Sequence, residues 1–240
     1  MKKRIIATIL CAVALVSVLS FISCKDDKED NLNDKYLLLV NKTNTIGANY
    51  VPENLVSVNS AYTNGGKSIE LESTTAAQVV KMLDAMRADG ITNASITSGY
   101  RSYSYQTTLF NKYCAEEREA HPDWNEDKVK AYVQTYSALP GTSEHHTGLC
   151  VDLITTEMTN LWNYGSETPS NPYDKGFAET SAFTWLKANA HKYGFVLRYP
   201  ENKTGITGYS YESWHYRYVG VEHATKMYEQ GICLEEYLAS

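Results

Sequence analysis

From Gly148 to Ile154 the sequence Gly-Leu-Cys-Val-Asp-Leu-Ile has the apolar density of a buried strand, yet Asp152 sits inside it. A carboxylate removed from water is costly unless it is paired or binds a metal, so whatever fold this chain adopts must deliver a partner to that strand. Candidate partners lie close by in sequence and further along it. Ser143-Glu144-His145-His146-Thr147 comes just before the strand, Glu212-Ser213-Trp214-His215 follows sixty residues after Asp152, and Arg101 lies upstream. Two imidazoles and one carboxylate can hold a catalytic zinc while leaving a fourth position for water. A further carboxylate that is not a ligand, for which Glu212 is the candidate, can take the proton of that water.

The pattern Ser143-x-His145-x-x-Gly148-x-Cys150-x-Asp152 followed by Glu212-x-Trp214-His215 resembles the signature of the zinc D-alanyl-D-alanine carboxypeptidases of the vancomycin-resistance type and their D,D-dipeptidase relatives. Ser98-Gly99-Tyr100-Arg101-Ser102 resembles that family's upstream motif, and the likeness runs from about residue 36 to 238. The resemblance implies one zinc ion held by His145, Asp152 and His215, with Glu212 as general base. It further implies that Arg101 acts on the scissile carbonyl or its oxyanion, and that Ser143 and Gln106 contact the peptide. The implied substrate is a peptidoglycan stem peptide that loses its C-terminal D-alanine. The implied fold is the Hedgehog and D,D-peptidase type of zinc peptidase. Two departures stand out. Cys150 replaces the family's usual small Ala, and a thiol there could compete for the metal as a soft ligand, although packing is expected. His146 beside His145 leaves the register open until the family spacing selects His145, with His146 expected in a supporting or exposed position.

Periodicity gives an α+β chain, a small antiparallel sheet with helices against it. Strands are expected at Tyr36–Val40, Ala94–Thr97, Gly148–Ile154, Phe195–Tyr199 and about Trp214–Val219. Helices are expected from Thr74 or Thr75 to about Gly90, over Tyr103–Glu119, Asn125–Ser137, Ser181–Tyr193 and Val221–Gln230. Residues 51–73 read as irregular, and 156–180 as an extended loop bordering the site. Glu212 and His215 are three apart, so a regular strand would send them to opposite faces. Their convergence requires a turn before the strand or a bulge within it.

The N-terminus has its own logic. Lys2, Lys3 and Arg4 precede an uncharged apolar run to Ile22, the layout of an export signal over residues 1–23. Phe21-Ile22-Ser23-Cys24 resembles a bacterial lipobox, making Cys24 the expected lipid attachment. Residues 24–34 are too charged to bury and form a tether, leaving 35–240 as the catalytic domain. The expected setting is the bacterial cell envelope, as a membrane-anchored monomer. Without the three leader cations, the 28 acidic residues exceed the basic ones by nine, which disfavours nucleic acid as a partner. Of five cysteines, Cys114, Cys150 and Cys233 remain in the domain, and Cys114 and Cys233 are candidates for pairing or for buried thiols. The 19 Tyr against 5 Phe suit a surface that grips peptides, or a fold that uses Tyr for Phe.

Three other functions compete. An L,D-carboxypeptidase acting on tetrapeptide stems would use the same metal site, with specificity set around Gln106 and residues 160–180. A wall-binding module without activity would retain the fold. A non-haem iron oxygenase also uses two His and a carboxylate, but has no need of Glu212.

Overall fold

The computed structural model describes residues 35–157 and 173–240. The leader, lipobox, tether and most of the expected site-bordering loop lie outside the described residues. In chain order the elements are β1 (Leu55–Ser57), β2 (Glu70–Glu72), α1 (Ser73–Ala88), β3 (Ala94–Ser98), α2 (Tyr103–Ala120), α3 (Glu126–Val133) and β4 (Cys150–Thr155). There follow α4 (Tyr173–Ala178), α5 (Ser181–Asn189), β5 (Phe195–Tyr199), α6 (Thr204–Thr207), β6 (Glu212–Tyr218), α7 (Val221–Gln230) and α8 (Leu234–Ala239). The α+β expectation holds: strands β3-β4-β6-β5 form an antiparallel sheet, and β1 and β2 form a second, two-stranded one.

Strand pleating divides the four-stranded sheet into an apolar and a polar face. Val151 pairs with Tyr216, and these residues face a core with Leu153, Val79, Met82, Leu83 and Met86 of α1 and Leu186 of α5. The alternate positions carry the chemistry, because Asp152 pairs with His215 and Cys150 with Arg217. Helices α2 and α3 build a smaller core from Phe110, Cys114, Val129 and Val133.

The short β2 strand, within residues expected to be irregular, aligns two motif loops. The Tyr100 amide donates to Glu70 O at 2.8 Å, and the Glu72 amide donates to Gly148 O at 3.0 Å. Both motif glycines owe their identity to this approach. A Cβ on Gly99 would sit 2.7 Å from Glu70 O, and one on Gly148 would meet Glu72 N and Leu55 Cδ2 at 3.1 Å, at a φ of 69°. Replacing Gly148 by Ala is therefore expected to destabilise the domain by about 1–3 kcal/mol, the typical cost of a left-handed non-glycine residue. Denaturant unfolding would measure it, and an unchanged midpoint would refute the packing argument.

Several elements differ from expectation. Tyr36–Val40 is not a strand: Leu37 and Leu39 pack on the Val219 cluster, while Tyr36 O and Leu38 O accept from Arg217. Helix α1 starts at Ser73 because the Glu72 carboxylate accepts the Thr74 and Thr75 amides, so neither threonine is the cap. Residues 173–178 are helical rather than loop. Helix α3 stops at Val133 and α5 at Asn189, the latter continuing as a 3₁₀ turn to Gly194. Cys114, Cys150 and Cys233 are separate buried thiols, so no Cys114–Cys233 bridge forms.

Candidate active site

A cleft of about 320 Å³ opens at the polar face of the sheet, lined by Arg101, Ser143, Glu144, His145, Asp152, Glu212, Trp214 and His215. Tyr105, Tyr113, Tyr136, Tyr199 and Tyr209 line it too, so part of the tyrosine excess is spent on this surface.

Asp152 is the hub. Its Oδ2 lies 3.2 Å from His145 Nε2 and its Oδ1 lies 2.9 Å from His215 Nδ1. Arg101 Nη2 donates to Oδ2 at 2.8 Å, while Arg101 Nε donates to Ser98 Oγ at 3.0 Å. The other nitrogen of each imidazole is committed. His145 Nδ1 lies 2.7 Å from Gly99 O, and a carbonyl only accepts, so that nitrogen carries the proton. His215 Nε2 lies 3.1 Å from Glu144 Oε2. Glu144 is ionised: burial would raise its carboxyl, but Arg198, Arg217 and His215 outweigh burial and hold it well below the usual carboxylate range. His215 Nε2 therefore donates.

Two imidazole lone pairs and a carboxylate thus converge on one point, an arrangement that calls for a cation. Donors sharing a tetrahedral zinc at ordinary bond lengths lie about 3.3 Å apart, close to the separations from Asp152 to the two rings. The outer partners, Gly99 O and Glu144, fix tautomer and orientation as outer partners of metal-bound imidazoles do. The electrostatic surroundings have the same preference for positive charge. Burial and Arg101 oppose a second proton on His145, but Asp152 and Cys150 raise it to about 9. The donor set fits zinc.

Glu212 stands beside this cluster with Oε2 3.6 Å from His215 Nδ1. Burial raises its carboxyl to about 7 against the pull of His215, which suits a group that takes a proton near neutrality. The expected conflict between Glu212 and His215 is resolved by a bulge. Leu197 pairs with Tyr216 but Tyr199 pairs with Glu212, so four residues of β6 answer two of β5, and the pleat is broken over the stretch in which Glu212 comes to the side of His215.

The other residues singled out in sequence divide. Ser143 is buried at the cleft wall, just before a 3₁₀ turn over Glu144–Thr147. Gln106 is not among the cleft-lining residues: its Nε2 donates to Ala138 O at 2.7 Å, holding the loop that carries Ser137 and Ala138. His146 is neither exposed nor beside the metal-competent cluster. The 3₁₀ turn sends it into a pocket with Tyr50, Tyr100 and Tyr103. His121, His191 and His223 are occupied elsewhere, by Trp124, Tyr228 and Tyr237.

Cys150 is fully buried, as expected, but it packs beside the two imidazoles. Its Sγ and one ring nitrogen each of His145 and His215 all lie within 4.8 Å of one another. Nor was the role of Glu144 read from sequence. It bonds Arg198 Nε at 2.7 Å and Arg217 Nη1 at 3.1 Å, and Arg198 also holds Glu235 of α8 through two 2.7 Å bonds. A signal existed: alternation in Trp-His-Tyr-Arg-Tyr puts His215 and Arg217 on one face, and a buried Arg needs a carboxylate.

Comparison with known proteins identifies the family. Residues 68–221 match the VanY family model, D-alanyl-D-alanine carboxypeptidase. A D-alanyl-D-alanine carboxypeptidase of Enterococcus faecalis is 38% identical over 202 residues, covering 84% of this chain. The chain spans 65% of the length of that relative. The structure of a point mutant of the vancomycin-resistance D,D-pentapeptidase VanY from a VanB-type cassette, in complex with Zn(II), matches with a TM-score of 0.66 and 36% identity, covering 85% of this chain and 99% of that one. The LdcB LD-carboxypeptidase matches with a TM-score of 0.69 and 32% identity, covering 86% of this chain and 87% of that one. The chain belongs to the VanY family of D-alanyl-D-alanine carboxypeptidases.

Proposed function

We propose that this protein is a zinc-dependent carboxypeptidase that removes the C-terminal D-alanine from peptidoglycan stem peptides. The observation that carries the reading is the convergence of His145 Nε2, His215 Nδ1 and the Asp152 carboxylate beside Glu212, in a chain 38% identical to a D-alanyl-D-alanine carboxypeptidase. His145, Asp152 and His215 hold the metal. Zinc held there supplies Lewis acidity, lowering the pKa of water and polarising the scissile carbonyl. The Glu212 carboxylate takes the proton of the attacking water and passes it to the leaving amine. Arg101, at the cleft wall, donates hydrogen bonds to the carbonyl oxygen as its charge develops, a task for a fixed guanidinium. Ser143 hydrogen-bonds the peptide terminus, and the tyrosine faces hold the stem.

The likeness to an LD-carboxypeptidase supports a second reading, removal of D-alanine from tetrapeptide stems by the same machinery. Incubating zinc-loaded protein with synthetic pentapeptide and tetrapeptide stems, with products identified by mass spectrometry, separates the two. Loss of one residue from the pentapeptide alone is the expected result. Cleavage of the tetrapeptide alone would favour the second reading, and cleavage of neither would favour a wall-binding module. A chelator is expected to abolish turnover, and His215→Ala to lose both zinc and turnover.

The same proposal includes an envelope setting: residues 1–23 direct export, lipid on Cys24 anchors the chain and residues 24–34 hold a monomeric domain off the membrane. Among the described residues no helix is long and apolar enough to cross a membrane. Incorporation of labelled fatty acid into the wild type and its loss in Cys24→Ala tests the anchor.

A further inference from the structure

We propose that Cys150 is a fourth protein donor to the metal, its thiolate competing with water for the open position; this deepens the zinc-site reading and rests on it. The strand dictates the placement. Cys150 precedes Asp152 by two residues on β4 and lies opposite Arg217, so its side chain shares the polar face with Asp152 and His215. It is completely buried, which keeps solvent from the thiol.

The geometry is that of a metal-competent group in its own right. Sγ and one nitrogen each of His145 and His215 lie within 4.8 Å of one another. Nitrogen and sulfur donors on a tetrahedral zinc lie about 3.3–3.6 Å apart, so a contraction of about 1 Å brings all three onto one ion. Asp152 remains in reach of both rings, at 3.2 and 2.9 Å. The set is then two nitrogens, one oxygen and one sulfur. Four protein donors make the closed arrangement of structural zinc sites, whereas hydrolysis needs one position for water. With the thiolate bound, water would have to displace it or enter as a fifth donor, so the site would have a tight, resting state and an open, working one. A thiolate also shifts metal preference towards softer ions.

Cobalt(II) substitution reads the two parts of this claim separately. Visible d–d bands report that the ion is bound, and a near-ultraviolet thiolate-to-cobalt charge-transfer band reports sulfur. Both are expected in the wild type, in Cys114→Ser and in Cys233→Ser. Cys150→Ala is expected to keep the d–d bands, lose the charge-transfer band and bind zinc more weakly by about tenfold or more in chelator competition, at least the effect of losing an outer-sphere partner. Wild-type d–d bands without a charge-transfer band would overturn the role of Cys150, as would a band that survives Cys150→Ala. Stem-peptide cleavage by the zinc-loaded wild type stands or falls independently of that band. Failure to bind cobalt at all would overturn both readings.

Discussion

Glu212→Ala is expected to bind zinc as the wild type does while kcat on a pentapeptide stem falls by about 10²–10⁴-fold, the usual contribution of a positioned general base. The division follows from position. Asp152 contacts both imidazoles, whereas Glu212 lies 3.6 Å from one of them and is brought alongside by a bulge in β6. Its carboxyl, raised to about 7 mainly by burial, is matched to proton transfer near neutral pH. KM should change little, because the side chain is not assigned to holding the peptide. Equilibrium dialysis of zinc and steady-state kinetics on the same preparation would check both halves. A variant that lost the metal would show that Glu212 is a ligand, and the assignment of base and ligands would have to be exchanged.

Glu144→Ala should have the largest effect on stability. Glu144, Arg198 and Arg217 are almost wholly buried, and Glu144 bonds both guanidinium groups and His215. Arg198 would retain Glu235, but Arg217 would be left with the carbonyls of Tyr36, Leu38 and Tyr218. Breaking a buried ion pair by removing one partner costs about 3–5 kcal/mol, a large fraction of the 5–15 kcal/mol that keeps a typical domain folded. Denaturant unfolding should register a loss of that size, and a loss below about 1 kcal/mol would refute the account. Glu144→Gln preserves volume and one acceptor, so it should fold well enough for metal titration. Zinc affinity there should fall about 10–100-fold, because His215 loses the ionised partner that orients it.

The site was far more legible in the sequence than the frame around it. Asp152 in an apolar strand advertised a buried charge, and the spacing of the two motifs brought His145, His215 and Glu212 into view together. The Glu212–His215 conflict even called for a turn before the strand or a bulge within it, and the β5–β6 register is irregular at that place. Helix α7 runs over Val221–Gln230, as its periodicity indicates. Short-range patterns failed where tertiary partners decide. The Tyr36–Val40 run looks like a strand, but its carbonyls answer to Arg217, 181 residues from Tyr36. Strands β1 and β2 are three residues each, too short to show alternation, and β2 carries Glu70 and Glu72. Glu144 escaped notice because a carboxylate beside a histidine looks like solvated surface until both arginines are seen behind it.

The bonds from Arg198 to both Glu144 and Glu235 make α8 part of the metal site without touching the metal. Glu235 belongs to α8, so a helix 37 residues beyond Arg198 supplies part of the counter-charge that settles the support behind His215. A chain lacking α8 would keep every proposed ligand yet leave Arg198 with Glu144 alone, so it is expected to hold His215 less firmly.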